Sequence, residues 1–297
     1  MENDFQKNTA MQETNATIDS VSKLCDHCVW PERSLVLYAY MPIGIALLIS
    51  RLSAMTIIYF LSFITPQRLR VSLYKTQVKI LGIHINKNAS TEEIKNLTDG
   101  CLVASNHIST VDTLVSLGLP NITIMMGKPI KQLDFYTRML YTSAIKLSCV
   151  NQWHVVDRRG LVKNIQKWRK NQSGTTLYTT PEMTLGNQRG IFKFNSAFMC
   201  FDLPVVPLAI TVKNSMGMNI NPVNSSHMAI ALRLLMLPSI VFNLYYLDKK
   251  TQSEGESKED FAKRVQQSIA DKLGVPATDW TAADKHAYRK ELSTRKH

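Results

Sequence analysis

Cys101-Leu102-Val103-Ala104-Ser105-Asn106-His107-Ile108-Ser109-Thr110-Val111-Asp112 is the stretch that decides how this chain folds. A short apolar run, Cys101–Ala104, passes through a polar turn into the apolar Thr113-Leu114-Val115, the pattern of a strand feeding a helix. In α/β sheets the carboxyl ends of the strands open onto the ligand crevice. His107 then stands at that lip, and Asp112 lies one turn into the helix, within reach of the imidazole's other N–H. Imidazole titrates near neutral pH and a carboxylate fixes its tautomer, so such a pair suits removal of a proton from an alcohol. The same residues also fit a plain helix start. Ser109-x-x-Asp112 has capping-box spacing, and an acid in the first turn complements the helix dipole. On this segment alone both alternatives stay open.

Working outward, β-like runs alternate with helical ones. The expected strands are Cys101–Ala104, Ile122–Met126, Trp153–Val156, Thr175–Thr179, Val205–Val212 and Ile240–Leu247. Helices are expected over Thr113–Leu117, Leu133–Ile145, Leu161–Lys170 and Met228–Leu237. This alternation predicts an α/β fold, a mostly parallel sheet flanked by helices. Ser257-x-x-Asp260 caps one more helix, whose Phe261, Val265, Ile269 and Leu273 share a face and which Gly274 and Pro276 stop.

Upstream, Leu35–Ser50 and Leu52–Thr65 carry no charge and are separated by Arg51. Each is shorter than the ~20 residues a helix needs to cross a bilayer. Joined into one span, they would put Arg51 near mid-membrane at a cost of roughly 2.5–3.5 kcal/mol. The pattern therefore predicts two apolar helices embedded in one leaflet, with Arg51 snorkelling to the surface. The expected organisation is a disordered polar tail at 1–33, a hairpin-like monotopic anchor at 34–66, the α/β domain at 67–250, and a docking helix and tail at 251–297.

The 297 residues carry a net charge of +12, and the first 33 hold six acids against three bases, so the body is the basic part. A basic body suits phosphorylated small molecules or an anionic membrane surface. No nucleic-acid motif accompanies the charge, which sets that class of partner aside. Five cysteines (Cys25, Cys28, Cys101, Cys149, Cys200) are odd in number and scattered, which predicts reduced thiols facing the cytosol. Cys25-Asp26-His27-Cys28 lacks a second ligand pair at zinc-finger spacing, so no metal is expected and the two thiols are taken as free or lipid-modified in a mobile tail. The polar first 33 residues have no apolar core of a cleavable signal peptide.

Four further segments follow in order: Val155-Val156-Asp157-Arg158, Thr180-Pro181-Glu182-Met183-Thr184, Gly190-Ile191-Phe192-Lys193-Phe194 and Leu203-Pro204-Val205-Val206-Pro207-Leu208. With His107 and Asp112 they resemble the blocks of the glycerolipid acyltransferases: NHxxxxD, (I/V)DR, PEGT with a following basic residue and GxxxF segment, and VVP. Leu37-Tyr38-Ala39-Tyr40-Met41-Pro42-Ile43-Gly44, Asp260-Phe261-Ala262-Lys263-Arg264-Val265-Gln266-Gln267 and Thr281-Ala282-Ala283-Asp284-Lys285 are similar to the ancient ubiquitous protein branch of that superfamily.

The resemblance implies an O-acyltransferase that moves a fatty acyl group from acyl-CoA, as co-substrate, to a hydroxyl of glycerol phosphate or a lysophospholipid, without a metal or other cofactor. It implies membrane placement on endoplasmic reticulum or lipid droplets, with the domain facing the cytosol. His107 would be the general base and Asp112 its support. Lys128, Arg158 and Arg189 would bind an acceptor phosphate, since a guanidinium grips phosphate bidentately. Glu182 would orient acceptor hydroxyls or pin its loop, and Thr184 would supply a hydroxyl. The chain departs from the pattern at Met183, where the family has glycine, and at Leu185, where it has arginine. Glycine there permits positive φ and close backbone approach. The departure keeps alive an alternative, an acyltransferase-fold adaptor on these membranes with little catalysis.

Overall fold

The structure is a computed structural model that describes residues 18–30, 35–112, 122–126, 135–148, 151–154, 160, 163, 166, 176–199 and 202–295. Its strands are β1 (Ile83–Lys87), β2 (Leu102–Ser105), β3 (Ile122–Met126), β4 (Asn151–His154), β5 (Thr176–Thr179), β6 (Val205–Asn214) and β7 (Ile240–Tyr246). They form one sheet in the order β1-β7-β6-β2-β5-β3-β4. Every neighbouring pair is parallel except β6–β7. β2 is central, and all four of its residues are buried, as expected of a parallel strand covered on both faces.

The helices are α1 (Leu35–Ile64), α2 (Gln67–Ile80), α3 (Thr91–Thr98), α4 (Phe135–Ser148), α5 (His227–Met236), α6 (Lys258–Leu273) and α7 (Ala282–Thr294). Side chains alternate across β2, and the two faces build two cores. Val103, with Tyr178, Leu208 and Phe242, belongs to a cluster shared with α1, α2, α4 and α5. Leu102 and Ala104 belong to the other, where Phe261, Val265 and Ile269 of α6 pack beside Leu177 and Ala209. The stripe expected on α6 is therefore the docking stripe, and Gly274 closes that helix in the left-handed conformation at φ 66°.

Two expectations are corrected. The two-helix anchor is one continuous helix of 30 residues, α1. Arg51 does not snorkel. It is buried and donates to the carbonyls of Leu235 (3.0 Å), Leu237 and Pro238 (3.1 Å) at the end of α5. The last carbonyls of a helix have no partner within it, and a guanidinium with five donors satisfies three of them together. Tyr40 adds a fourth tie, donating to Met236 O at 2.6 Å. A break at Arg51 is unnecessary because the α5 terminus, not lipid, surrounds the charge.

The polar tail is also revised over 18–30. Val21, Leu24, Cys25 and Asp26 are buried. Trp280 Nε1 donates to Ile18 O, Asn187 to Lys23 O and Asn219 to Cys28 O, each at 3.0 Å. Three separate loops hold this segment, so its polar composition did not leave it free. β4 begins two residues before its expected start. β1 and α3 were not anticipated, although Ile83 and Ile85 alternate and Ser90 with Glu93 forms a complete capping box. The helices expected at Thr113–Leu117 and Leu161–Lys170 lie outside the described residues or almost so.

Candidate active site

β2 ends at Ser105, and the next seven residues form a compact turn at the carboxyl edge of the sheet. Asn106 fixes the turn to the neighbouring strand: its amide donates to Ile210 O at 2.9 Å and accepts from Ile210 N–H at 2.8 Å. This two-way bond explains why a buried asparagine belongs in front of the histidine. Asn221 donates to Ile108 O from the far side.

Asp112 is fully buried, and its Oδ2 collects three donors. They are His107 Nδ1 at 3.1 Å, Ile108 N–H at 2.6 Å and Ser109 N–H at 2.9 Å. The two alternatives left open by the sequence are thus both present: the carboxylate caps the turn and orients the imidazole. With Nδ1–H given to Asp112, Nε2 is the nitrogen left to accept a proton. The His107 side chain keeps 21% of its surface exposed, so a substrate can reach it.

Glu182, in the loop after β5, is also buried. Its Oε1 accepts the backbone N–H of His107 at 2.6 Å and its Oε2 that of Phe192 at 2.8 Å. Gly186 N–H donates to His107 O at 2.7 Å. Of the two roles considered for Glu182, both carboxyl oxygens take the second, pinning the loop to the His107 turn. Burial pushes its carboxyl up to about 8, against the two backbone donors that pull it down. Lys285 of α7, whose own ammonium burial pushes down, donates to Leu185 O on the same loop. Sequence reasoning passed over this lysine; its separation of 100 residues from Leu185 hides the contact.

Met183 takes φ 54°, the conformation that favours glycine, so a methionine here holds a backbone shape usually given to glycine while presenting a half-exposed thioether. Thr184 is partly exposed beside it. Arg189 stands farther along, and its Nη2 lies 3.4 Å from Asp26 Oδ1. Burial raises the Asp26 carboxyl and the Arg189 guanidinium lowers it. The structure therefore brings His107, Asp112 and Glu182 together and turns Arg189 toward the 18–30 segment. Lys128 and Arg158 lie outside the described residues.

On the α1 side of the turn an apolar cleft opens, lined by Leu52, Met55, Val111, Tyr136, Leu140 and Leu234 among others. Thr110 and Val111 of the turn form part of its wall. The partly exposed imidazole thus lies near an apolar groove and a helix long and apolar enough to cross a membrane (Tyr38–Ile64).

No protein-family model matches the chain. Over 281 residues it is 26% identical to the lipid droplet-regulating VLDL assembly factor AUP1 of Xenopus tropicalis, covering 93% of this chain and 66% of that protein. It is 25% identical over 197 residues to glycerol-3-phosphate acyltransferase 3 of Danio rerio, covering 65% of this chain and 43% of the relative. The chain thus spans two thirds or less of the length of these curated relatives. Among solved structures its fold is similar to PlsC, the 1-acyl-sn-glycerophosphate (LPA) acyltransferase of Thermotoga maritima. The TM-score is 0.50 at 14% identity, over 77% of this chain and 95% of that one.

Proposed function

We propose that the chain is a membrane-attached O-acyltransferase of the glycerolipid acyltransferase family, a reading supported by its similarity to AUP1 and glycerol-3-phosphate acyltransferase 3 and by the fold it shares with PlsC. It takes a fatty acyl group from acyl-CoA and gives it to a hydroxyl of a lysophospholipid or glycerol phosphate. The observation that carries this proposal is the His107 Nδ1–Asp112 Oδ2 contact at 3.1 Å beside an apolar cleft. His107 Nε2 removes the acceptor's hydroxyl proton as the oxygen attacks the thioester carbonyl. The new C–O bond forms, the C–S bond breaks, and the thiolate leaves as CoA with the proton returned to it. Asp112 steadies the transient imidazolium. A thioester already carries a good leaving group, so no covalent enzyme intermediate is needed.

The apolar cleft between α1, α4 and α5 would receive the first part of the acyl chain, since it lies beside the His107 turn and borders the long apolar helix. Arg51 supports attachment to one leaflet rather than a span. It sits midway along α1 and is buried against α5, so the folded domain accompanies the helix instead of leaving it to the bilayer core. The same proposal places the chain on endoplasmic reticulum or lipid-droplet membranes with the domain in the cytosol, and the lipid-droplet part is supported by its similarity to the lipid droplet-regulating factor AUP1.

A second possibility has its own observation. Met183 stands half exposed in a left-handed backbone position where the family pattern has glycine, which favours a catalytically weak adaptor on such membranes. One experiment separates the two. Membranes carrying the wild-type chain or His107→Ala receive labelled acyl-CoA with a panel of lysophospholipids and glycerol phosphate. The enzyme gives acylated product, reduced about 10²–10⁴-fold in the variant. Equal product from both removes the catalytic role, and labelled free fatty acid alone means hydrolysis instead of transfer.

A further inference from the structure

On the α6 side of the Pro181-Glu182-Met183 loop lies a second cleft, of about 580 Å³, that the acyl-transfer scheme does not use. Where the α1-side cleft is apolar, this one is walled by charges of both signs. Glu259, Asp260, Lys263 and Gln266 recur three and four residues apart along α6, so they share a face. Lys193 and Asn195, which follow the loop, and Asp279, ahead of α7, line the same space.

The walls are tied in place. Lys193 N–H donates to Trp280 O at 2.8 Å, Asn195 N–H to Pro181 O at 3.0 Å and Gln266 Nε2 to Thr278 O at 2.9 Å. Glu259 accepts from Ser196 Oγ at 2.9 Å and Asp260 from Ser257 Oγ at 2.7 Å. Glu259 and Lys263 have the i,i+4 spacing that favours an ion pair, yet they form none. Among the described residues, the side chains of Lys193, Lys263 and Asp279 have no hydrogen-bond or ion-pair partner. Two cations and an anion thus border one space without closing on each other. Left apart, they add little to the fold, but each can meet one end of a ligand that carries both signs.

We propose that this cleft holds the head group of the acceptor, and that the head group is a phosphate ester bearing a primary ammonium, as in an ethanolamine lysophospholipid. The proposal rests on the acyl-transfer reading, which supplies the acceptor. Lys193 and Lys263 take the phosphate, and Asp279 takes the ammonium, through charge-assisted hydrogen bonds. Three exposed acids stand against two lysines here, so a polyanion such as glycerol phosphate meets no net attraction. A quaternary ammonium is held by aromatic faces, and the aromatic side chain in this wall, Phe194, is itself buried. A primary ammonium instead offers N–H donors to carboxylates. The placement suits the reaction. The apolar cleft lies on the sheet face covered by α1, α4 and α5 and the charged cleft on the α6 face, with the carboxyl edge and the His107 turn between them. The glycerol of a lysophospholipid joins tail to head group, and so spans that edge.

In the full chain, held in micelles of an uncharged detergent, saturation-transfer NMR reads the binding of three water-soluble probes: glycerophosphoethanolamine, glycerophosphocholine and glycerol phosphate. Glycerophosphoethanolamine binds tightest. Asp279→Asn and Lys263→Met each weaken it by at least about threefold, the scale of a partly exposed ion pair. Asp279→Lys reverses the order in favour of glycerol phosphate, a gain that a merely damaged fold would not give. Either comparison probe binding the wild type as well as glycerophosphoethanolamine does, or variants that leave the affinity of the ethanolamine probe unchanged, overturns the proposal. Probe binding needs neither His107 nor acyl-CoA. Loss of the acyl-transfer reading would appear as missing product with this binding intact, and loss of the head-group site as product formed without the ethanolamine preference.

Discussion

Glu182 and His107 are joined by a single hydrogen bond of 2.6 Å, from the backbone N–H of the histidine to a carboxyl oxygen 75 residues away in the sequence. The acid of the Pro-Glu segment thus acts on the histidine's backbone and leaves the imidazole to Asp112. Glu182→Gln keeps the size but presents an NH₂ to one of the two backbone N–H groups. A buried donor left without its acceptor costs about 1–3 kcal/mol, and thermal unfolding in detergent will show a loss of that order.

The same residue gives the protein a pH-dependent stability. Burial holds the Glu182 carboxyl at about 8 in the fold, against an ordinary value of 4.5. Between those values the folded state keeps a proton that the unfolded chain releases. This contribution is fully present below about 4.5 and is lost as pH rises through about 8. Melting temperatures measured from pH 5 to pH 8.5 will fall more steeply for wild type than for Glu182→Gln. Parallel curves would mean the carboxyl is already ionised throughout.

Asp112 supports both the fold of the turn and the orientation of the imidazole through one oxygen, Oδ2. Asp112→Asn either loses that convergent acceptor or turns an amide N–H toward three donors. Transfer should drop by about 10³–10⁴ in kcat, the scale on which a mis-set imidazole tautomer acts elsewhere, with a smaller change in KM. A variant retaining more than a tenth of wild-type kcat would remove Asp112 from the machinery.

Much of this was legible in the chain. The alternating runs placed β3 at its observed bounds, and a strand-turn-helix pattern set His107 at the open edge of the sheet. Local spacing suffices there because His107 and Asp112 are only five positions apart. What stayed hidden depends on long separations. Uniform apolarity from Leu35 to Thr65 cannot tell one helix from two, because burial follows a stripe (Gly44, Arg51, Met55, Ile58, Ser62) that composition does not mark. The partners of Arg51 lie more than 180 residues away. Arg189 meets Asp26 across 163 residues, so its charge alone suggested a phosphate ligand.

Arg51 and Gly82 make one joint. A Cβ on Gly82, which has φ +69°, would lie 2.5 Å from Arg51 Nη2 and 2.6 Å from Pro238 O. Gly82→Ala therefore displaces the guanidinium and strains the backbone. Arg51→Leu removes the donors from three carbonyls. Each variant should lower stability by at least about 1–3 kcal/mol, and the double variant should cost less than the sum, because both break the same contact. Strict additivity in thermal unfolding would show that the two residues act apart.

Met183 holds a left-handed backbone with its side chain half exposed. Met183→Gly keeps the loop and clears the space, at a stability change of under about 1 kcal/mol because relief of strain offsets the added chain entropy. Turnover in the labelled acyl-CoA assay should rise. An unchanged rate would place Met183 outside the path of the substrates and weaken the adaptor alternative's main support.

The outer face of α1 tests membrane attachment without touching the site. Ile49 and Phe60 are 60% and 64% exposed, on the side away from the Arg51–Met55–Ile58 stripe. Nothing in the fold requires them to be apolar, whereas a lipid leaflet does. Burying such a side chain in hydrocarbon is worth about 1.5–3 kcal/mol. Ile49→Asp/Phe60→Asp replaces both with charges, so the variant should leave floated liposomes for the soluble fraction while its melting temperature in detergent stays near wild type. Retained flotation would mean that α1 does not lie with this face in the leaflet. A fall in melting temperature of the detergent-held protein would show instead that the face packs against protein.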